Sequence, residues 1–257
     1  MKGPGLPIDH GRLERIDLLR AAAMVWMTVF HFCFDLNHFG FIEQNFYRDP
    51  FWTWQRTAIV SLFLFTAGLS QAVAWHQSQS WARFWRRWVQ ILAAALLVTA
   101  GSMIMFPSSY IYFGVLHGIA VMLVIVRLSA GWGAWLWLAG AAAIAAKHLA
   151  PPLIAAFPSA EVLNTPLLNW LGLISRKPVT EDYVPLLPWL GVMWWGMAAG
   201  QWILRHRPWW LHGDGPPGGP VRHGMVKLGQ WSLSYYLLHQ PVLIGLLSVF
   251  VWLRTAG

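Results

Sequence analysis

The sequence predicts an all-α, polytopic transmembrane helix bundle of about seven spans with a cytoplasmic N-terminus, and three observations predict it. Of 257 residues, 57% are hydrophobic and only 11% are charged, whereas soluble domains carry about 25% charged residues. Apolar runs almost free of charge recur along the chain, each near the roughly 20 residues that a helix needs to cross a bilayer. The polar-apolar alternation that marks spanning strands does not occur.

Taken in order, the spans fall at 18–39, 53–75, 87–106, 110–127, 131–149, 184–204 and 230–253. The first begins near Ala21, has spanning length and is closed by no small-residue cleavage site, so it is expected to stay as an uncleaved anchor. It contains Cys33, the single cysteine, which leaves no intramolecular disulfide to form. The fifth, GWGAWLWLAGAAAIAA, is rich in the small residues that let helix backbones approach in lipid. Between the fifth and sixth lies a Pro-rich connection, 150–182. Between the sixth and seventh, HRPWWLHGDGPPGGPVRHG reads as a mobile loop from its Gly-Pro density.

The formal charge is +8, but the basic residues sit in short clusters between apolar runs and form no stripe for nucleic acid. They act as topology signals. With the N-terminus inside, twelve Lys and Arg fall on the cytoplasmic side, among them Lys2, Arg12, Arg127, Arg205, Arg207 and Arg222, against six outside.

Ionisable groups at membrane depth are costly, about 2.5–3.5 kcal/mol each, and mark function by default. Asp17 and Arg20 share one face near the cytoplasmic entrance of the first span. His31 follows Arg20 by about 16 Å along that face. Asp35 is one turn further on, where it could fix the tautomer of His31. His117 lies roughly 10 Å below the outer surface and His239 roughly 13 Å in from the cytoplasm, with Gln240 and a helix-interrupting Pro241 beside it. Three histidines and a carboxylate from three spans are expected to share one polar chamber. Without HExxH or paired-cysteine spacing, no metal is expected there.

The stretches RIDLLRAAAMVWMTVFHFCFDLNHFG, SLFLFTAGLS, YFGVLHGIAV, DYVPLLPWLGVMWWGMAAG and LGQWSLSYYLLHQPVLIGLL resemble, in order and over most of the chain, the bacterial DUF1624 proteins. Those are relatives of the catalytic region of heparan-α-glucosaminide N-acetyltransferase. The resemblance implies one transmembrane acyltransferase domain over 1–257 in a bacterial cytoplasmic (inner) membrane. It further implies acetyl-CoA or another acyl-CoA as donor, a sugar or amino sugar as acceptor, and membrane lipid as surroundings. Whether the chain is a homo-oligomer stays open.

Arg20 and His31 are also similar to the arginine, ten residues, histidine pattern of broader membrane acyltransferases. The lysosomal member has asparagine at the place of His31 and a luminal histidine after its first span, which leaves His38 as the other candidate base. On this reading His31 is the general base, Asp35 orients it, and His117 stabilises the intermediate or relays its proton. Asp17, Arg20, His239 and Gln240 bind the donor, with Arg205, Arg207 and Arg222 further candidates for its phosphates. A proton-coupled transporter using the same groups is the alternative, and a non-catalytic membrane subunit a third.

Overall fold

The computed structural model describes residues 13–212 and 219–255. It consists of α1 (Glu14–His38), α2 (Pro50–His76), α3 (Trp81–Met105), α4 (Val115–Leu128), α5 (Trp135–Ala146), α6 (Ala150–Ala156), α7 (Leu186–His206), α8 (Trp209–His212), α9 (Pro220–Gln230) and α10 (Ser232–Thr255). No strand occurs among the described residues; one isolated bridge joins Phe113 to Tyr183.

Local chemistry sets several helix starts. The Asp49 carboxylate accepts from the backbone of Phe51 at 2.8 Å and Pro50 opens α2, satisfying an end whose amides have no partner within the helix. The Ser80 hydroxyl accepts from Arg83 at the start of α3. At α4 the cap comes from afar: Asp182 Oδ2 accepts from Val115 N at 2.7 Å. Because that cap and the Phe113–Tyr183 bridge hold the preceding segment extended, α4 begins at Val115, not at 110.

Each predicted span coincides with a helix, but not every helix has spanning length. Four helices, α1, α2, α3 and α10, are long and apolar enough to cross a bilayer, and α5 with α6, bent by 51°, would make a fifth. Length and composition therefore mark four to five spans where the sequence predicts seven; α4 has only 14 residues. The connection 150–182 carries α6 and two short 3-10 turns. The expected mobile loop is helical in α8 and from Pro220 onward, and its centre, 213–218, lies outside the described residues, as do Lys2 and Arg12.

Small residues bring α2, α5 and α7 together. A β-carbon on Gly68 would collide with the Met193 carbonyl, one on Gly196 with Phe65, and one on Gly140 or Gly191 with the α5–α7 partner. Leu64, Met193 and Met197 fill the resulting seam without exposure. Outside it, Leu96, Leu97, Leu246 and Phe250 are exposed, the apolar outer face of a multi-pass membrane protein. Arg127, counted above as a cytoplasmic charge, is buried: it stacks on Trp75, Trp81 and Phe84 and donates to the Gln79 carbonyl.

The first and last long helices run parallel. Gly229 abuts Asp17, Thr28 meets Tyr235, His31 meets His239, and beyond α1 Phe41 meets Phe250. Contacts rising together in both chain segments require the same direction.

Candidate functional site

The site has two parts along α1. Near its start, Arg20 donates to Asp17 Oδ1 at 2.9 Å and to Ser70 Oγ at 2.5 Å, and Ser70 in turn donates to the Thr66 carbonyl. This arrangement holds the guanidinium on the wall of a cavity of about 340 Å³ between α1, α2, α3, α4, α9 and α10, lined also by Gln71, Arg87, Leu123, Gln230 and Tyr236. None of its lining residues is a carboxylate.

About two to four turns further along α1 stands a ladder of polar pairs with α10. Thr28 Oγ1 donates to the Met24 carbonyl, so toward Tyr235, 2.7 Å away, it accepts. His31 Nδ1 and His239 Nε2 are 2.9 Å apart, with the rings stacked at 22°. Gln240 Nε2 donates to Asp35 Oδ1 at 2.8 Å. Spacings of three and four residues on α1 keep these side chains on one face.

The hydrogen-bond network assigns the histidine tautomers. His239 Nδ1 lies 2.7 Å from the Tyr236 carbonyl, and a carbonyl only accepts, so that nitrogen carries the proton. With neutral rings, His239 Nε2 is then the acceptor and His31 Nδ1 the donor. The lone pair of His31 is left on Nε2, the atom a general base would use.

Three expectations about this site change. Asp35 does not grip His31; it is held by Gln240, because the His31 ring is turned to His239. His117 does not join the pair. Thr99 Oγ1 spends its hydrogen on the Ile111 carbonyl and accepts from His117 Nε2 at 3.1 Å, while His117 Nδ1 accepts from Gly114 N at 3.3 Å. Both ring nitrogens are taken, and the ring fastens the turn before α4. His239 and Gln240, expected on the donor, do not line the cavity; Tyr236 does, and its carbonyl accepts from His239.

The other candidates disperse. Arg205 lines a separate cavity of about 210 Å³ with His76 and Gln201, Arg222 pairs with Glu14 at 2.7 Å, and Arg207 and His38 are exposed at helix ends. Thr28, Tyr235, Tyr236 and Gln71 were not singled out from the sequence. Tyr235 carried a signal, since it lies four residues before His239. Behind Val115 on the cavity wall, burial pushes the Asp182 carboxyl above the usual aspartate range, outweighing its bond from Val115.

Against known proteins, the model of the family described as heparan-alpha-glucosaminide N-acetyltransferase, catalytic, matches residues 12–241. No curated protein sequence and no solved structure matches the chain significantly.

Proposed function

Because this chain belongs to the heparan-alpha-glucosaminide N-acetyltransferase catalytic family, a family of membrane acetyltransferases, we propose that it moves an acyl group, acetyl first, from an acyl-CoA to a sugar or amino-sugar acceptor. The setting proposed is a bacterial cytoplasmic membrane, with the donor entering from the cytoplasm.

The observation that carries this reading is the position of Tyr236. One residue touches both the cationic cavity and the histidine pair, so the two lie side by side, as a donor pocket and a base do in acyl transfer. The cavity suits an anionic donor: Arg20 and Arg87 line it, the Arg20 guanidinium is held in place by Asp17 and Ser70, and a guanidinium fork matches phosphate oxygens. Its volume is within the range of small-molecule sites. Bound acetyl-CoA would supply the thioester.

The chain's own groups supply the proton transfers. His31 Nε2 takes the proton that the acceptor oxygen or nitrogen loses as it bonds to the acyl carbon, and returns it to the departing thiolate. While His31 is an imidazolium, its Nδ1–H points at the His239 lone pair, and the charge is spread along a bond that His239 anchors to Tyr236. The chain ends on a carbonyl, which accepts a hydrogen bond but takes up no proton. That ending favours a base held in place over a proton wire for a transporter.

Labelled acetyl-CoA given to proteoliposomes tests the reading. Wild-type protein is expected to label a glucosamine acceptor, and His31→Ala to lower the rate at least about 100-fold, the scale of a lost general base. Transfer undiminished in His31→Ala removes His31 from the chemistry, and no transfer by wild type removes the acyltransferase reading.

A further inference from the structure

Gln71 presents an unusual group to the cavity. It sits on α2 beside Ser70, the residue that holds Arg20, and it lines the same space. Its side-chain carbonyl oxygen is buried and has no hydrogen-bond partner. Buried acceptors without partners are uncommon, because each forfeits its hydration for nothing.

The surroundings narrow what would satisfy it. An amide oxygen accepts and cannot donate, so its ligand must bring an N–H or O–H. A bare phosphate, which the neighbouring arginines would suit, brings acceptors. The cavity wall beyond Gln71 is largely apolar, with Phe63, Leu123 and Leu233 among its members, so the donor group belongs on a slender, mostly apolar arm. An arm carrying secondary amides between an anionic head and a thioester has that composition.

We propose that Gln71 is a specificity-determining residue that accepts an amide N–H of the donor's pantetheine arm, so that the cavity selects amide-bearing thioesters over simple ones. This rests on the acyl-CoA reading of the cavity. Gln71 recognises the arm and takes no part in proton transfer; its loss acts on donor affinity rather than turnover.

The experiment compares two donors in Gln71→Met, an unbranched apolar replacement of similar length. For acetyl-CoA, KM should rise about tenfold with kcat little changed, the size of one lost hydrogen bond from a buried acceptor. For ethyl thioacetate, which has no amide, KM should stay within about twofold. Equal effects on both donors, or none on either, overturn the proposal.

A binding measurement decides the matter without turnover, because the stabilisation that pantetheine gives should be largely lost in Gln71→Met. Thermal unfolding of wild-type protein should be delayed by pantetheine and not by an alkanethiol of equal length. Equal response to the two thiols overturns the proposal, as does no response to either. Wild-type protein stabilised by pantetheine yet unable to transfer acetyl would sink the acyltransferase reading and leave the Gln71 contact standing.

Discussion

At the scale of residues, the chemistry rests on which atom of His31 carries the lone pair. The sequence made His31, Asp35 and His239 legible, because ionisable groups at membrane depth are rare and expensive. It did not make their partners legible. Asp35 is one turn from His31 and could reach it, yet the choice between Asp35 and His239 depends on how α10 is rotated against α1, which no local spacing encodes. His117 looked alike in the sequence and proved to be saturated by Thr99 and Gly114. The anchoring role of His239 makes a prediction. His239→Leu should lower kcat roughly tenfold or more with KM for the donor unchanged, since it frees the His31 ring to take the other tautomer. His239→Gln, whose amide oxygen can accept from His31 Nδ1, should recover most of that loss. Equal defects in the two variants would show that His239 acts through bulk rather than through its acceptor atom.

At the scale of elements, hydrophobic runs located every long helix, because a helix in lipid must satisfy its own backbone and be apolar along its length. Helix ends were less legible where the cap came from a distant residue: Asp182 starts α4 from 67 positions away. The Gly-Pro segment before α10 was read as a loop, although Pro220 sits at the first turn of α9, where its missing N–H costs nothing. The small residues of α5 foretold close packing, and Gly140 meets Gly191 there. Parallel α1 and α10 lead to a prediction about topology. With Cys33→Ser as background, Leu13→Cys and Thr255→Cys should react with an impermeant thiol reagent from opposite sides of the membrane, Leu13→Cys from the cytoplasm. Reaction of both from one side would contradict the parallel arrangement.

At the scale of the whole molecule, α1 and α10 do two things at once. Their early turns wall a cationic cavity through Arg20 and Tyr236, and the following turns hold the histidine pair. The family resemblance was legible because its motifs lie on these two helices and on α2, α4 and α7; the cavity was not, since six helices must assemble before it exists. The two histidines form a single unit only because both helices present their polar faces in register, as Thr28–Tyr235 and Asp35–Gln240 show on either side. The ring nitrogens themselves provide the most direct test. Nitrogen-15 histidine spectra of the protein in bilayers, with His31 assigned by its loss in His31→Ala, should show a protonated Nδ1 and a bare Nε2 at neutral pH, and His239→Leu should disturb that pattern. A His31 protonated at Nε2, or one indifferent to the loss of His239, would contradict the account.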